Sequence, residues 1–592
     1  MSVFHNNALI ASGAAAAGAA APGVRSLRFN SADSAHLSKT FSSAGTLTTF
    51  TISGWVKRTS LGSYTPILLS ADTSSTTEVA FTTDNKLQFV DGSTVYRKTD
   101  AVFRDVSAWY HIVVTWDTTN STVADRCRIY VNGTEQSYAT EATISENATT
   151  DINTTDIHYV GRQSNTYTNC YMADIYFIDG LALTASSFGS TDSNGVWQRG
   201  TYSGTFGTNG FHLLDFENEA TIGDDSSGNS NDFTANNLSD TAGAGNDVLL
   251  DFPANGSESD TGAGGEVSGN YCTWNPNHPT FNTTSFSNGN LDSSIRFTNG
   301  SVTPYATGTI AVSSGKWYWE ITLTQESNDT EYIGVMDGSH AGGAWSFSVI
   351  GAYFSDARKA VGGSPQSYGA TYTTGDVIGV ALDADNGNLE FYKNGTSQGT
   401  AATGMTFGSY KAFISANGTG TAQLVSANFG QRAFEYQNAG TNRPAATYKT
   451  LCTTNLPTPT IANGSDHFDI ALYNGNETAR SITGLDFSPD LVWLKNRDRN
   501  AYNHYWVDIV RGTNKNLFSN LTEPEQDAAR LSSFDSNGFG LTNHNGVNKT
   551  GDDYVAWCFD GGSSTASNTD GSITSSVRAN QSAGFSVVAY TG

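Results

Sequence analysis

The stretch that decides the fold is Trp109-Tyr-His-Ile-Val-Val-Thr-Trp116, followed shortly by Arg126-Cys-Arg-Ile-Tyr-Val-Asn-Gly133. The first is an unbroken run of aromatic and β-branched residues, which pack well on a pleated surface and poorly on a helix. The second alternates, and its closing Asn-Gly supplies the positive φ values that a two-residue hairpin turn requires. Upstream, Thr51-Ile-Ser-Gly-Trp-Val-Lys57 alternates in the same way. Strand, turn, strand is therefore the pattern of residues 25–238, and a two-sheet antiparallel sandwich is predicted there.

A chain of 592 residues exceeds the size at which one hydrophobic core stops growing, so three or four domains are expected. Hydrophobic residues make up 38% and aromatic residues 11%, enough to fill cores, while only 15% are charged. Ser, Thr, Asn and Gly stand where most globular proteins have Lys and Glu. These residues compete with a helical backbone or cost it entropy, and they suit short strands and tight turns, so the expected class is all-β. A net charge of -25 and a pI near 4.6 argue against a nucleic-acid partner, which needs a basic footprint. No run of about twenty apolar residues occurs, so membrane insertion is not expected. Cys127, Cys170, Cys272, Cys452 and Cys558 form no C-x-x-C pair, which points to free buried thiols and assembly in a reducing cytoplasm. A Cys127–Cys170 bridge is the one pairing left open within the first sandwich.

Residues 1–24 hold an Ala/Gly-rich run without the basic start of a signal peptide, and read as an extended anchor arm that another protein orders. Residues 239–270 are Gly, Ser, Asp and Asn with little apolar content, and read as a linker. Strand phrases resume in 271–440: Gly315-Lys-Trp-Tyr-Trp-Glu-Ile321, Tyr332-Ile-Gly-Val335, Gly375-Asp-Val-Ile-Gly-Val-Ala-Leu-Asp383 and Leu389-Glu-Phe-Tyr-Lys-Asn-Gly395. A further β-rich module occupies 441–580, with His467-Phe-Asp-Ile-Ala-Leu-Tyr-Asn-Gly475, Pro489-Asp-Leu-Val-Trp-Leu-Lys495 and Tyr554-Val-Ala-Trp-Cys-Phe559 as its strands. Residues 581–592 mirror its opening, Phe585 falling on Phe468 and Tyr590 on Tyr473, so they are expected to begin a second, truncated repeat.

The phrases F-T-I-S-G-W-V-K, W-Y-H-I-V-V-T-W-D, R-I-Y-V-N-G-T and M-A-D-I-Y-F-I-D-G-L-A-L, in that order, resemble the laminin-G/concanavalin family. The phrases of 271–440 resemble a SPRY domain, itself a concanavalin-like sandwich. The third module and the opening M-S-V-F-H-N-N-A-L-I resemble tail-fibre-like proteins of marine phages. These resemblances imply tandem jelly-roll sandwiches followed by a phage repeat module, and a lectin-like, non-enzymatic virion protein. The expected role is a tail fibre or receptor-binding component that attaches to a host-surface glycan or protein. Its arm would hold it to other virion proteins, and a homotrimer would supply avidity. The alternatives are a capsid or tail decoration protein and, less favoured, a glycan-degrading enzyme.

The sharpest catalytic candidate is the row Asp215, Glu217 and Glu219, which alternation places on one face of a strand. Its order, D-x-E-x-E, departs from the E-x-D-x-x-E or E-x-D-x-E of related hydrolases, so a solvated strand end is the preferred reading. Asp383-Ala-Asp-Asn-Gly-Asn-Leu-Glu390 lacks the EF-hand spacing and reads as a hairpin with its turn at Asn386-Gly387. Asp224, Asp225 and Asp232 are the candidate calcium ligands that the laminin-G resemblance implies. Trp55, Trp116, Trp317 and Trp319 lie in strand patterns and are assigned to the core. The loop aromatics Tyr64, Tyr167, Trp345 and Tyr368 are the candidate glycan or partner contacts.

Overall fold

The computed structural model describes residues 24–592 except 73–75, 215, 217–220, 278–283, 298–302, 328, 418–419 and 437–446. All but the last residue of the expected anchor arm, 1–24, lies outside the described residues. The fold is all-β, and the one α-helix among the described residues is the single turn Asn545–Asn548. Among the described residues, one compact unit comprises 24–190 with Trp197–Pro457, and the other Thr458–Gly592 with Thr191–Val196.

The two opening phrases become neighbouring strands. Thr49–Arg58 pairs with Trp109–Asp117 on one side and Cys170–Asp179 on the other, in the middle of an eight-stranded antiparallel sheet. A second eight-stranded sheet covers it, centred on Leu87–Asp91, Thr76–Phe81, Thr65–Asp72 and Ile157–Val160. Phe50, Ile52, Val56, Ile112, Val114 and Trp116 point between the sheets and are fully buried. Each such side chain contributes about 1.5–3 kcal/mol of burial. Asn132 and Gly133, at φ 46° and 80°, make the predicted hairpin turn. A Cβ on Gly133 would lie 2.3 Å from the Trp197 ring, so the position needs glycine for its space as well as its φ.

The opposite residues of the same strands, Trp55, Lys57, Trp109 and Tyr171, are also buried, and here the linker expectation fails. Leu250 and Phe252 pack against that face, in one continuous core that runs on to Trp274, Trp317 and Trp319 of the second sandwich. The polar residues of the segment are spent inside as well. Asp247 pairs with Arg28 at 3.0 Å, and Asp251 with Lys57 at 2.8 Å. Asp260 accepts hydrogen bonds from Thr450 N at 2.8 Å and Thr450 Oγ1 at 2.7 Å. A composition that reads as flexible thus forms a mortar between two sandwiches, because a few apolar side chains and matched charges suffice when both walls already exist.

The second sandwich faces a seven-stranded sheet, with Lys316–Gln325 between Gln423–Asn428 and Val377–Asp383, against a six-stranded sheet with Glu331–Asp337 between Tyr410–Ala416 and Ile350–Phe354. Asp383 pairs with Asn388 across the predicted Asn386-Gly387 turn.

In the second unit, Phe468–Asn474, Asp553–Phe559, Leu491–Asn496, Tyr505–Asp508, Lys515–Phe518 and Gln526–Asp527 form a six-stranded sheet. Its Val492, Leu494, Val507 and Cys558 pack on Leu531, Phe539 and Leu541 of a three-stranded sheet. Phe585–Tyr590, expected to open a second repeat, pairs instead with Ser575–Asn580, which pairs with Thr565–Asn568. Its likeness to the strand from Phe468 is shared alternation: Phe585 stacks on Phe559 at 5.0 Å, and Phe468 lies 4.7 Å from the same ring.

Candidate functional site

The outer face of the strand Cys170–Asp179 carries a buried group of ionisable side chains, Asp174 with His212 and Arg199. Asp174, at φ 54°, sits where the register with Thr49–Arg58 breaks between Ala173 and Tyr176. This bulge sets its carboxylate against His212 Nε2 at 2.8 Å and Arg199 Nε at 2.7 Å. Burial alone would raise the Asp174 carboxyl, but the His212 hydrogen bond and the Arg199 guanidinium outweigh it and hold it at about 2.

Ser53, on the neighbouring strand Thr49–Arg58, has its Oγ 2.9 Å from His111 Nε2 of the next strand, the spacing of a base and its nucleophile. Trp197 Nε1 donates to His111 Nδ1 at 3.1 Å. An indole N–H only donates, so Nδ1 is the acceptor and Nε2 carries the proton. Burial lowers His111 to about 4, so the ring is neutral near pH 7. An imidazole that already holds its proton toward the serine has no lone pair there to take another. Both side chains are buried, and the pair braces the sheet.

Among the four loop aromatics, Tyr64 is 36% exposed and donates its hydroxyl to Glu78 Oε1. Tyr167 stands with Tyr159 around the Arg162 guanidinium, 5.2 and 4.4 Å from its carbon. Trp345 sets its ring edge-on to Tyr332 and Phe413, both at 5.4 Å, and lays its loop onto the outer face of the six-stranded sheet. Tyr368 is a core residue, its hydroxyl donated to the Gly399 carbonyl and its ring edge-on to Tyr353 at 5.3 Å. Its place in a turn-rich stretch of sequence hid the fact that it points inward. Trp55, Trp116, Trp317 and Trp319 are buried, as assigned.

Glu78 is 5% exposed, its Oε2 has no hydrogen-bond partner among the described residues, and burial pushes its carboxyl up to about 7 despite the Tyr64 hydrogen bond. The folded state therefore holds a proton that the unfolded state releases near its ordinary 4.5. The stability this contributes is complete below about pH 4.5 and lost as pH rises through about 7. Glu78→Gln, uncharged throughout, is expected to unfold about 2–3 kcal/mol later than the parent at pH 8 and at nearly the same urea concentration at pH 4.5. A difference that stays constant between those pH values would refute a neutral Glu78.

Asp225 accepts from the backbone N–H groups of His212, Ser227 and Asn231 and from Ser227 Oγ, while Asp232 accepts from Asp225 N. Asp224 is exposed. These carboxylates brace a loop instead of converging, and among the described residues no three His, Cys, Asp or Glu side chains are grouped to hold a metal ion. Asp215, Glu217 and Glu219 lie outside the described residues. All five cysteines are buried free thiols, with Cys127 and Cys170 pushed up to about 12 by burial.

The second unit carries an aromatic row that was not among the expected binding residues. Trp557, Trp493 and Trp506 occupy paired positions on adjacent strands, with ring centroids 4.7 and 6.0 Å apart. They lie on the face opposite Val492, Leu494 and Cys558 and are only partly buried. The signal was present: in Leu491-Val-Trp-Leu-Lys495 both alternating faces are apolar, which a sheet with one solvated face does not need.

Three domain families match the chain. Residues 30–187 match the concanavalin A-like lectin/glucanases superfamily in its laminin-G form, residues 316–432 the SPRY domain, and residues 463–592 a domain of unknown function, DUF7483. The chain is 32% identical over 140 residues to Ran-binding protein 10 of Danio rerio and Ran-binding protein 9 of Homo sapiens, which is 22% of this chain and 22% and 18% of theirs. It is 30% identical over 135 residues to E3 ubiquitin-protein ligase RKP of Arabidopsis thaliana, 21% of this chain and 10% of that one. The chain thus spans about a fifth or less of the length of these relatives. Among solved structures it is similar to the SPRY domain of human HERC1, at 17% identity over 27% of this chain and 98% of that one, with a TM-score of 0.24. This all-β chain carries a laminin-G/concanavalin-like domain and a SPRY domain.

Proposed function

We propose that the chain is a non-catalytic recognition protein, and that its setting is a phage virion, as a tail fibre or receptor-binding component that attaches to a host-surface glycan or protein. The observation that carries the recognition reading is how the reactive groups of the first sandwich are used. Ser53 and His111 are closed in with the proton on the wrong nitrogen, Asp174 is spent on Arg199 and His212, and the thiols are buried and protonated. Strands that use their polar groups as braces leave recognition to the loops, which is how sandwich scaffolds bind. The SPRY relatives named for binding Ran support a protein-recognition role for that domain, without indicating its partner here. The virion setting is supported by the phrases F-D-I-A-L-Y-N-G, S-P-D-L-V-W-L-K and Y-V-A-W-C-F of the third module, and a trimer held by the N-terminal arm fits it.

The test is twofold. In a map of intact particles the chain should stand on the tail with residue 1 toward the particle, whereas residue 1 inside a capsid lattice would establish the decoration alternative. Purified protein should bind host cells saturably as a trimer and release no reducing sugar from host polysaccharide. Sugar release that disappears in Glu217→Gln would overturn the non-catalytic reading.

A further inference from the structure

Within Thr458–Gly592, between the ends of the six-stranded sheet and the C-terminal three-stranded sheet, lies an open cleft of about 580 Å³. We infer that this cleft is a binding site for a neutral saccharide. The inference deepens the recognition reading above and rests on it for the kind of ligand.

Four observations on the lining carry it. First, the polar groups are held in place from behind. Asp490, 1% exposed in its side chain, lies 2.8 Å from Arg578 Nε and accepts from Gly561 N at 2.8 Å. Asp560 accepts from Gly562 N at 2.8 Å, from Asn580 Nδ2 at 2.6 Å and from His467 Nδ1 at 2.8 Å. A ligand would meet a preorganised set, which costs little ordering entropy on binding.

Second, the set is incomplete. Neither terminal nitrogen of Arg578 has a hydrogen-bond partner among the described residues, and the same is true of the Gln581 amide and the Ser563 hydroxyl, all on the cleft wall. Asp560 Oδ1 accepts one hydrogen bond and retains a second lone pair. Donors and acceptors therefore stand side by side, matching vicinal hydroxyls, each of which donates and accepts.

Third, Phe487 and Ala579 supply an apolar surface beside these groups, suited to the C–H face of a pyranose ring. Fourth, Arg578 is offset by Asp490, and Asp560 adds a further negative charge. The two carboxylates outnumber the one guanidinium, which disfavours a carboxylate, sulfate or phosphate ligand. The volume falls within the range of about 300–1,000 Å³ usual for small-ligand sites.

The test is saturation-transfer NMR on the full chain with methyl glycosides of glucose, galactose, mannose and N-acetylglucosamine, and with N-acetylneuraminic acid as the anionic probe. Transfer to at least one neutral glycoside is expected. It should weaken about tenfold, the worth of one hydrogen bond, in Gln581→Ala and in Arg578→Lys. Gln581 is exposed and Arg578→Lys keeps a cation beside Asp490, so both variants should fold, with unfolding midpoints near that of the parent. No transfer to any neutral glycoside, transfer only to N-acetylneuraminic acid, or transfer unchanged in both variants would each overturn the site. In the last case sugar binding elsewhere leaves the recognition reading standing. Absence of both glycoside transfer and host-cell binding would remove that reading too.

Discussion

Replacing Lys57 by methionine is expected to destabilise the two-sandwich unit by about 3–5 kcal/mol, one of the largest losses available from a single side chain. Lys57 Nζ donates to Asp251 Oδ2 at 2.8 Å, Asn270 Oδ1 at 2.8 Å and Tyr271 O at 3.0 Å, using all three of its protons. Asp251 Oδ1 accepts from Trp109 Nε1 at 3.2 Å. Lysine and aspartate side chains are each 1% exposed. Burial raises the Asp251 carboxyl even with Lys57 against it, so desolvation is the larger effect and the ion pair only offsets it. Removing the cation leaves a buried carboxylate with no counter-charge. The diagnostic partner is Lys57→Met/Asp251→Asn, in which the amide oxygen still accepts from Trp109 while the charge is gone. It should recover at least half of the loss in urea unfolding. A loss below about 1 kcal/mol in the single variant would mean that water reaches Asp251 and that the sandwiches are less tightly joined than Leu250 and Phe252 imply.

Asp251 lies in the segment whose composition suggests a linker. Strands were legible wherever side chains alternate or run apolar, as at Thr49–Arg58, Trp109–Asp117 and Val377–Asp383, because period two is a local property. The turn at Asn132-Gly133 was legible for the same reason. The role of residues 239–270 was not local. Leu249, Leu250 and Phe252 are sparse among Gly, Ser and Asp, and become core only because two finished sheets meet around them. Phe585–Tyr590 repeats an earlier phrase, yet its partner is chosen by the hairpin from Ser575–Asn580, which similarity between strands does not encode. The site was less legible still. Tyr368 and Trp345 lie in turn-rich sequence that suggests exposure, while the cleft is assembled from Phe487, Asp560 and Arg578, no two of them close in sequence enough to form a motif.

Asp174→Ala is expected to cost a similar 3–5 kcal/mol, and its pH dependence separates it from ordinary loss of packing. The carboxylate is 1% exposed, and it is the acceptor for Arg199 Nε at 2.7 Å, Arg199 Nη2 at 3.1 Å and His212 Nε2 at 2.8 Å. Tyr176 lies flat on the His212 ring at 3.8 Å, which fixes the direction of that hydrogen bond. Alanine strands both donors and also strains the backbone, since φ 54° is poorly tolerated except by Gly, Asn and Asp. Asp174→Asn removes the charge without that strain and keeps one carbonyl oxygen as an acceptor, so the difference between the two variants reads the lost acceptor together with the backbone strain. Because the folded carboxyl is held at about 2, below its ordinary 3.8, its stabilisation is fully present above about pH 4 and is lost as pH falls through about 2. The shift corresponds to about 2 kcal/mol. Urea unfolding of the parent and of Asp174→Asn should therefore differ most at pH 7 and converge by that amount near pH 2. If the gap is as wide near pH 2 as at pH 7, the charge of Asp174 does not contribute to the fold and its place at the bulge is purely one of shape.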